Sequence, residues 1–138
     1  MKDEMTFDEL REMLLYRRIV KWKKETITLD NGIEISIKET EQDCCACASG
    51  EFTDVVLDAA ITKVGDIQYT PWKEDDYGEY GCKATVTIMH NRNIICKAIG
   101  EADAGNGGYY YSIASFVVEI PMQEQRFCHF VASYDGGD

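Results

Sequence analysis

The sequence predicts an α+β fold, mainly an antiparallel β-sheet meander with a short amphipathic helix at the N-terminus. Three observations predict it. A helix-capping signature opens the chain, apolar residues recur at every second position beyond Ile19, and tight-turn sequences separate the alternating runs. With 138 residues, 45% of them hydrophobic and only two prolines, the chain fits one domain spanning 1–138 with a core of its own.

The first element is the helix. Thr6-x-x-Glu9 forms a capping box, Met5 and Leu10 can staple its start, and Phe7, Leu10, Met13 and Leu14 fall on one face. The β-branched pair Ile19-Val20 places its end by Arg17 or Arg18. In ETITLDNGIEISI, a two-residue Asn31-Gly32 turn would oppose Leu29 to Glu34 and mix the faces. A three-residue loop, Asp30-Asn31-Gly32, pairs Leu29 with Ile33 and Ile27 with Ile35, which is the register expected. Residues 51–61 (EFTDVVLDAAI) fit either a strand or a short helix with Asp54 and Asp58 on one face. The alternation of Ile61, Lys63, Gly65, Ile67 and Tyr69 then reads as a strand. A second hairpin, CKATVTIM and IICKAI around Asn91, is expected to pair Ile88 with Ile94, Val86 with Cys96 and Ala84 with Ala98. YYYSIASFVVEI reads as a long strand ended by Pro121, and RFCHFVASY as the last strand before an acidic glycine tail.

The net charge of −11 opposes long DNA or RNA as a partner, because phosphate binding needs a positive surface. The basic run Arg17, Arg18, Lys21, Lys23 and Lys24 and the acidic run KEDDYGE (Lys73 to Glu79) read most plainly as solvated surface. No apolar stretch is long enough for a membrane helix, and MKDEMTFDEL carries acids where an export signal would be apolar. A cytoplasmic protein with no membrane partner is the expectation.

Six cysteines without an export signal point to free thiols, with Cys82 and Cys96 as small buried hydrophobes. The cluster Cys44-Cys45-Ala46-Cys47 can reach four zinc ligands only by recruiting Cys128 or His129. It lacks paired C-x-x-C spacing, so no metal or cofactor is expected. The two histidines, His90 in a turn and His129 in a strand, suggest no base beside a nucleophile, and Glu101 with Asp103 reads as surface acids. A binding protein is expected rather than an enzyme.

The segment from Ala102 to Ser112, ADAGNGGYYYS, looks at first like a dinucleotide fingerprint. That motif needs a helix after its glycines, and here a strand follows. Two readings remain. In one, Asn106, Gly107 and Gly108 form a backbone anion nest, alternate members of Tyr109, Tyr110 and Tyr111 offer ring faces to a base, and Arg92, Lys97 and Arg126 are the candidate cations. In the plainer one the glycines make a turn, Tyr109 and Tyr111 are core or edge residues, and Tyr110 faces solvent.

The order of features, a hairpin with a DNG turn, then QDCCACASGEFTDVV, then strands ending in GNGGYYYS, resembles small phage proteins that include the Thoeris anti-defence proteins of the first type. The resemblance covers roughly Ile27 to Val118, and Asp43-Cys44-Cys45 and Asn106 to Tyr110 carry it. It implies an oligomeric, non-enzymatic sponge. Such a protein sequesters a cyclic ADP-ribose isomer made by a bacterial TIR-domain enzyme, and some members also take cyclic oligonucleotides. The ligand sites would lie at subunit interfaces, where Arg92 or Arg126 of one chain meets the glycine loop of another. Asp43 is expected to cap nearby amides, with the cysteines beside it packed. The competing reading is an acidic inhibitor that covers a basic surface of a host enzyme, with KEDDYGE as its contact.

Overall fold

The computed structural model describes residues 3–74, 79–105 and 110–135. Its elements are β1 (Asp3–Glu4), α1 (Phe7–Leu14), β2 (Ile19–Lys23), β3 (Thr26–Leu29), β4 (Glu34–Gln42), β5 (Ala48–Thr53), β6 (Lys63–Val64), β7 (Gln68–Glu74), β8 (Glu79–His90), β9 (Asn93–Asp103), β10 (Ser112–Glu119) and β11 (Arg126–Ala132). They build two sheets, β1-β11-β10-β4-β3-β2 and β5-β9-β8-β6, with β7 also pairing β8. Every described pairing is antiparallel except the two-residue β1 against β11. The α+β class and the N-terminal helix are as the sequence predicts.

The helix forms where its cap dictates. Thr6 Oγ1 accepts the Glu9 amide at 3.1 Å while the Thr6 amide donates to Glu9 Oε1 at 3.2 Å, completing the capping box. That bond from the Thr6 backbone, aided by Arg126, holds the Glu9 carboxyl below its usual range. Leu10 and Leu14 are buried, with Phe7 and Met13 packed at their margin. Leu10 and Leu14 sit among Ile27, Ile35, Phe52, Val86, Ile88 and Phe116, so the helix closes one end of the space between the sheets.

The first hairpin has the expected register: Ile27 faces Ile35, and the Leu29 amide donates to the Ile33 carbonyl at 2.8 Å around Gly32 at φ +90°. The second does not. His90 pairs with Asn93 across a two-residue Asn91-Arg92 turn, and a bulge at Ile88/Met89 shifts the ladder, so Val86 faces Ala98 and Ala84 faces Gly100. Residues 51–53 complete β5, and the chain then turns through Asp54 and Asp58, both at positive φ. No helix forms there, and the two acids share no helical face. Beyond Ile61 the expected single strand divides into β6 and β7.

The sheets pack face to face, and glycines allow close approaches between them, Gly50 of β5 against Ile37 of β4 and Gly100 of β9 against Phe130 of β11. Gly100 on β9 lies beneath the Phe130 ring of β11; a Cβ there would come within 2.7 Å of that ring, which is itself stacked on Phe116 at 4.4 Å. Gly100→Ala is therefore expected to destabilise the fold by about 1–3 kcal/mol through overpacking. Gly65→Ala, whose Cβ would meet nothing closer than 3.5 Å, should stay within about 0.5 kcal/mol. Urea unfolding of the two variants checks this, and equal midpoints would contradict a tight approach at Gly100.

Candidate functional site

The chain crosses from the first sheet to the second between β4 and β5, and returns between β9 and β10. Because β4 pairs with β10 and β5 with β9, those crossings run side by side. The first carries Asp43-Cys44-Cys45-Ala46-Cys47 and the second Ala104 to Tyr111, so the two segments the sequence singles out meet at one end of the sandwich.

Their contact is a net of hydrogen bonds. The Asp43 amide donates to the Tyr111 carbonyl at 2.8 Å, and the Tyr111 amide donates back to Asp43 Oδ2 at 3.3 Å. Asp43 thus caps an amide 68 residues away. Asp103 Oδ1 accepts the amides of Cys47 (3.1 Å) and Gly105 (3.0 Å), one from each crossing. The buried Ser112 hydroxyl lies 2.9 Å from the Cys47 carbonyl and 2.8 Å from that of Asp103. Its one proton can serve one of them at a time. Gly105, at φ +69°, rests on the Cys45 carbonyl, which a Cβ would approach to 2.6 Å; only glycine fits both the conformation and the gap.

Asn106, Gly107, Gly108 and Tyr109 lie outside the described residues, as do four positions of KEDDYGE, 75–78. Tyr110 is half-buried against Gly105, and its amide donates to the Ala104 carbonyl at 2.9 Å. Tyr111 is 40% exposed. Of the two, Tyr111 is the ring that solvent reaches, which reverses the plainer expectation for this pair. The strand begins only at Ser112 because both tyrosines belong to the crossing.

The candidate cations do not gather here. Arg92 occupies the β8–β9 turn, and with Asp103 at the far end of β9 the separation is roughly 30 Å at ~3.3 Å per residue. Lys97 lies six residues short of Asp103 on β9, about 20 Å away, beside Asp54 at 4.0 Å. Arg126 begins β11, whose other end adjoins the crossings, and pairs with Glu9 at 3.1 Å. Arg92 makes no ion pair or hydrogen bond among the described residues.

The cysteines also divide. Cys82, Cys96 and Cys128 are buried, and burial pushes the Cys96 and Cys128 thiols up to about 12. Cys44, Cys45 and Cys47 are exposed rather than packed. Cys128 pairs with Phe116 inside the first sheet, four residues along from Ser112, and His129 bonds Asp135 at 2.8 Å, so neither completes a zinc set with the loop. Among the described residues no group of three or more metal-ligating side chains forms, and no helix is long and apolar enough to cross a membrane.

Two shallow recesses lie along the strands beside the crossings. One, of about 330 Å³ beside Thr40, Ser115 and His129, has Glu4 and Glu41 on its rim. The other, of about 340 Å³, sets Lys24 and Lys83 among Glu25, Glu51 and Glu101. Carboxylates disfavour an anion in both.

The net of bonds makes Asp103 the residue to test. Asp103→Ala should leave the overall fold intact while hydrogen exchange at the Cys47 and Gly105 amides speeds by roughly tenfold or more, the loss of about 1–3 kcal/mol of local bonding. Unchanged protection at both amides would contradict the assignment.

No curated protein and no solved structure matches this chain. Residues 12–117, a span that takes in both crossings, match the family described as Domain of unknown function (DUF7448), and the chain belongs to that family.

Proposed function

We propose that the protein binds a small cyclic nucleotide of the cyclic ADP-ribose type and holds it without degrading it. In this reading it acts as a phage anti-defence sponge in the cytoplasm of an infected bacterium, and cyclic oligonucleotides are its second ligand class. The observation that carries the reading is the meeting of the crossings. The Asp-Cys-Cys segment and the glycine–tyrosine segment carry the resemblance independently, and Asp43 and Cys47 of the first crossing are hydrogen-bonded to Asp103 and Tyr111 at the described ends of the second. Chemistry supports binding over turnover. Neither histidine lies on the crossings: His90 Nδ1 meets the Ala60 carbonyl at 2.7 Å, and His129 Nε2 meets Asp135 at 2.8 Å.

The described part of the cluster contains no cation, so a doubly charged ligand needs one from outside. Arg92, at the tip of a hairpin on the opposite end and without an ion pair among the described residues, supplies it from a second copy in a homo-oligomer, where its charge is felt within a Debye length of about 10 Å. Arg126 is less suited, since it would have to leave Glu9. Tyr111 is the stacking face and Tyr110 the brace behind it.

Calorimetric titration with cyclic ADP-ribose isomers and cyclic di- and trinucleotides should show at least one ligand bound at micromolar Kd or tighter, about −8 kcal/mol or stronger. The ligand should be recovered chemically unchanged. Tyr111→Ala should weaken binding by about 1–3 kcal/mol with no change in Tm, and Arg92→Ala should weaken it too. No heat with any of these ligands would end the proposal, and release of a cleaved nucleotide would replace sequestration with catalysis.

A further inference from the structure

The neighbouring thiols of Cys44 and Cys45 form an unusual pair. Both are exposed, and their sulfurs lie 2.7 Å apart, inside ordinary van der Waals contact. Adjacent side chains in a strand point to opposite faces, and here the chain instead turns at Cys44-Cys45, with Cys45 at φ +80°. A non-glycine residue rarely adopts that left-handed conformation, and its effect here is to aim both thiols to one side. The bonds of Asp43 to Tyr111 on one flank and of Cys47 to Asp103 on the other hold the turn in that shape.

We propose that Cys44 and Cys45 are a site of reversible thiol–disulfide exchange, which a low-molecular-weight disulfide such as oxidised glutathione closes into a bond between the two adjacent residues. The Cys44 thiolate attacks one sulfur of the small disulfide, giving a mixed disulfide and releasing one small thiol. The Cys45 thiol then attacks Cys44 Sγ and releases the second. Two protein S–H bonds are lost, one S–S bond forms, and the small disulfide is reduced to two thiols, so atoms and electrons balance. The Cys45 thiol is held above its usual range, first of all by its hydrogen bond with Cys44, while the nearby Tyr110 hydroxyl acts the other way.

The bond, once closed, reopens readily. Cα atoms of adjacent residues are ~3.8 Å apart across a trans peptide, shorter than the roughly 4.4–6.8 Å of an unstrained disulfide. A strained, exposed disulfide is easily reduced, and so behaves as a labile bond rather than a structural staple. The three strand thiols do not compete, since Cys82, Cys96 and Cys128 are buried and raised by that burial; Cys47, also exposed, is the one rival near the pair. Closing the ring would reshape the loop where the Cys45 carbonyl supports Gly105. The inference does not rest on nucleotide binding.

The test is mass spectrometry of the folded, reduced protein after incubation with oxidised glutathione, with peptide mapping under acid. The wild type should become lighter by two hydrogen atoms in the peptide containing Cys44 and Cys45, carry no lasting glutathione there, and regain its mass with dithiothreitol. Cys45→Ser should instead accumulate a glutathione adduct on Cys44, while Cys47→Ser should behave as the wild type at the pair. A lasting adduct on Cys44 or Cys45 of the wild type, an unreacted pair, or a bond that maps to Cys47 would each overturn the proposal.

Discussion

Much of this structure depends on a single constraint, that both crossings between its sheets run side by side and share hydrogen-bonding groups. Asp103 accepts one amide from each crossing through the same carboxylate oxygen. Ser112 places a buried hydroxyl between the carbonyls of Cys47 and Asp103, and Ser133 Oγ accepts the Ser112 amide at 3.3 Å. A buried carbonyl without a donor costs about 1–3 kcal/mol, so these groups fix the loops against each other. Irregular backbone can persist there because its polar groups are answered.

The two ends of the sandwich have different chemistry as a result. At the helix end, Leu10 and Leu14 enter between the sheets and continue the apolar core through Phe52, Val86, Ile88 and Phe116. At the crossing end there are thiols, carboxylates and tyrosines, with Tyr111 and three cysteines exposed. The same separation applies to reactivity. Cysteines in the strands are shielded by burial, and those in the loop are open to solvent. Two glycines permit close approach: Gly100 lets the sheets close on Phe130, and Gly105 lets one crossing rest on the other.

Local patterns in the sequence reveal the parts of the fold that local physics decides. The helix is legible because its capping box and apolar face lie within nine residues, Thr6 to Leu14. The first hairpin is legible because one register alone keeps Ile27 and Ile35 on the buried face. The second is not, since Ile94-Ile95-Cys96 is apolar without alternation and gives no sign of the bulge; Ile94 proves 43% exposed while Ile95 and Cys96 are buried. Asp54 and Asp58 suggest a helical face only until their positive φ values are known. The candidate site was half legible. Its two segments are visible in the sequence, but their meeting rests on β4 pairing β10 across some seventy residues, which no local pattern encodes. The cations fail for the same reason: Arg92, Lys97 and Arg126 look available in the sequence, and strand register sends them elsewhere.

The central claim is that the two crossings act as one ligand-binding unit. The most direct measurement is an amide NMR titration of the ¹⁵N-labelled protein with a cyclic ADP-ribose isomer. Resonances of Asp43 to Cys47 should move together with those of Gly105, Tyr110 and Tyr111, along a common saturation curve, while those around Thr40, Ser115 and His129 stay in place. Shifts confined to the Thr40–His129 recess, or no shifts at a saturating concentration, would contradict it.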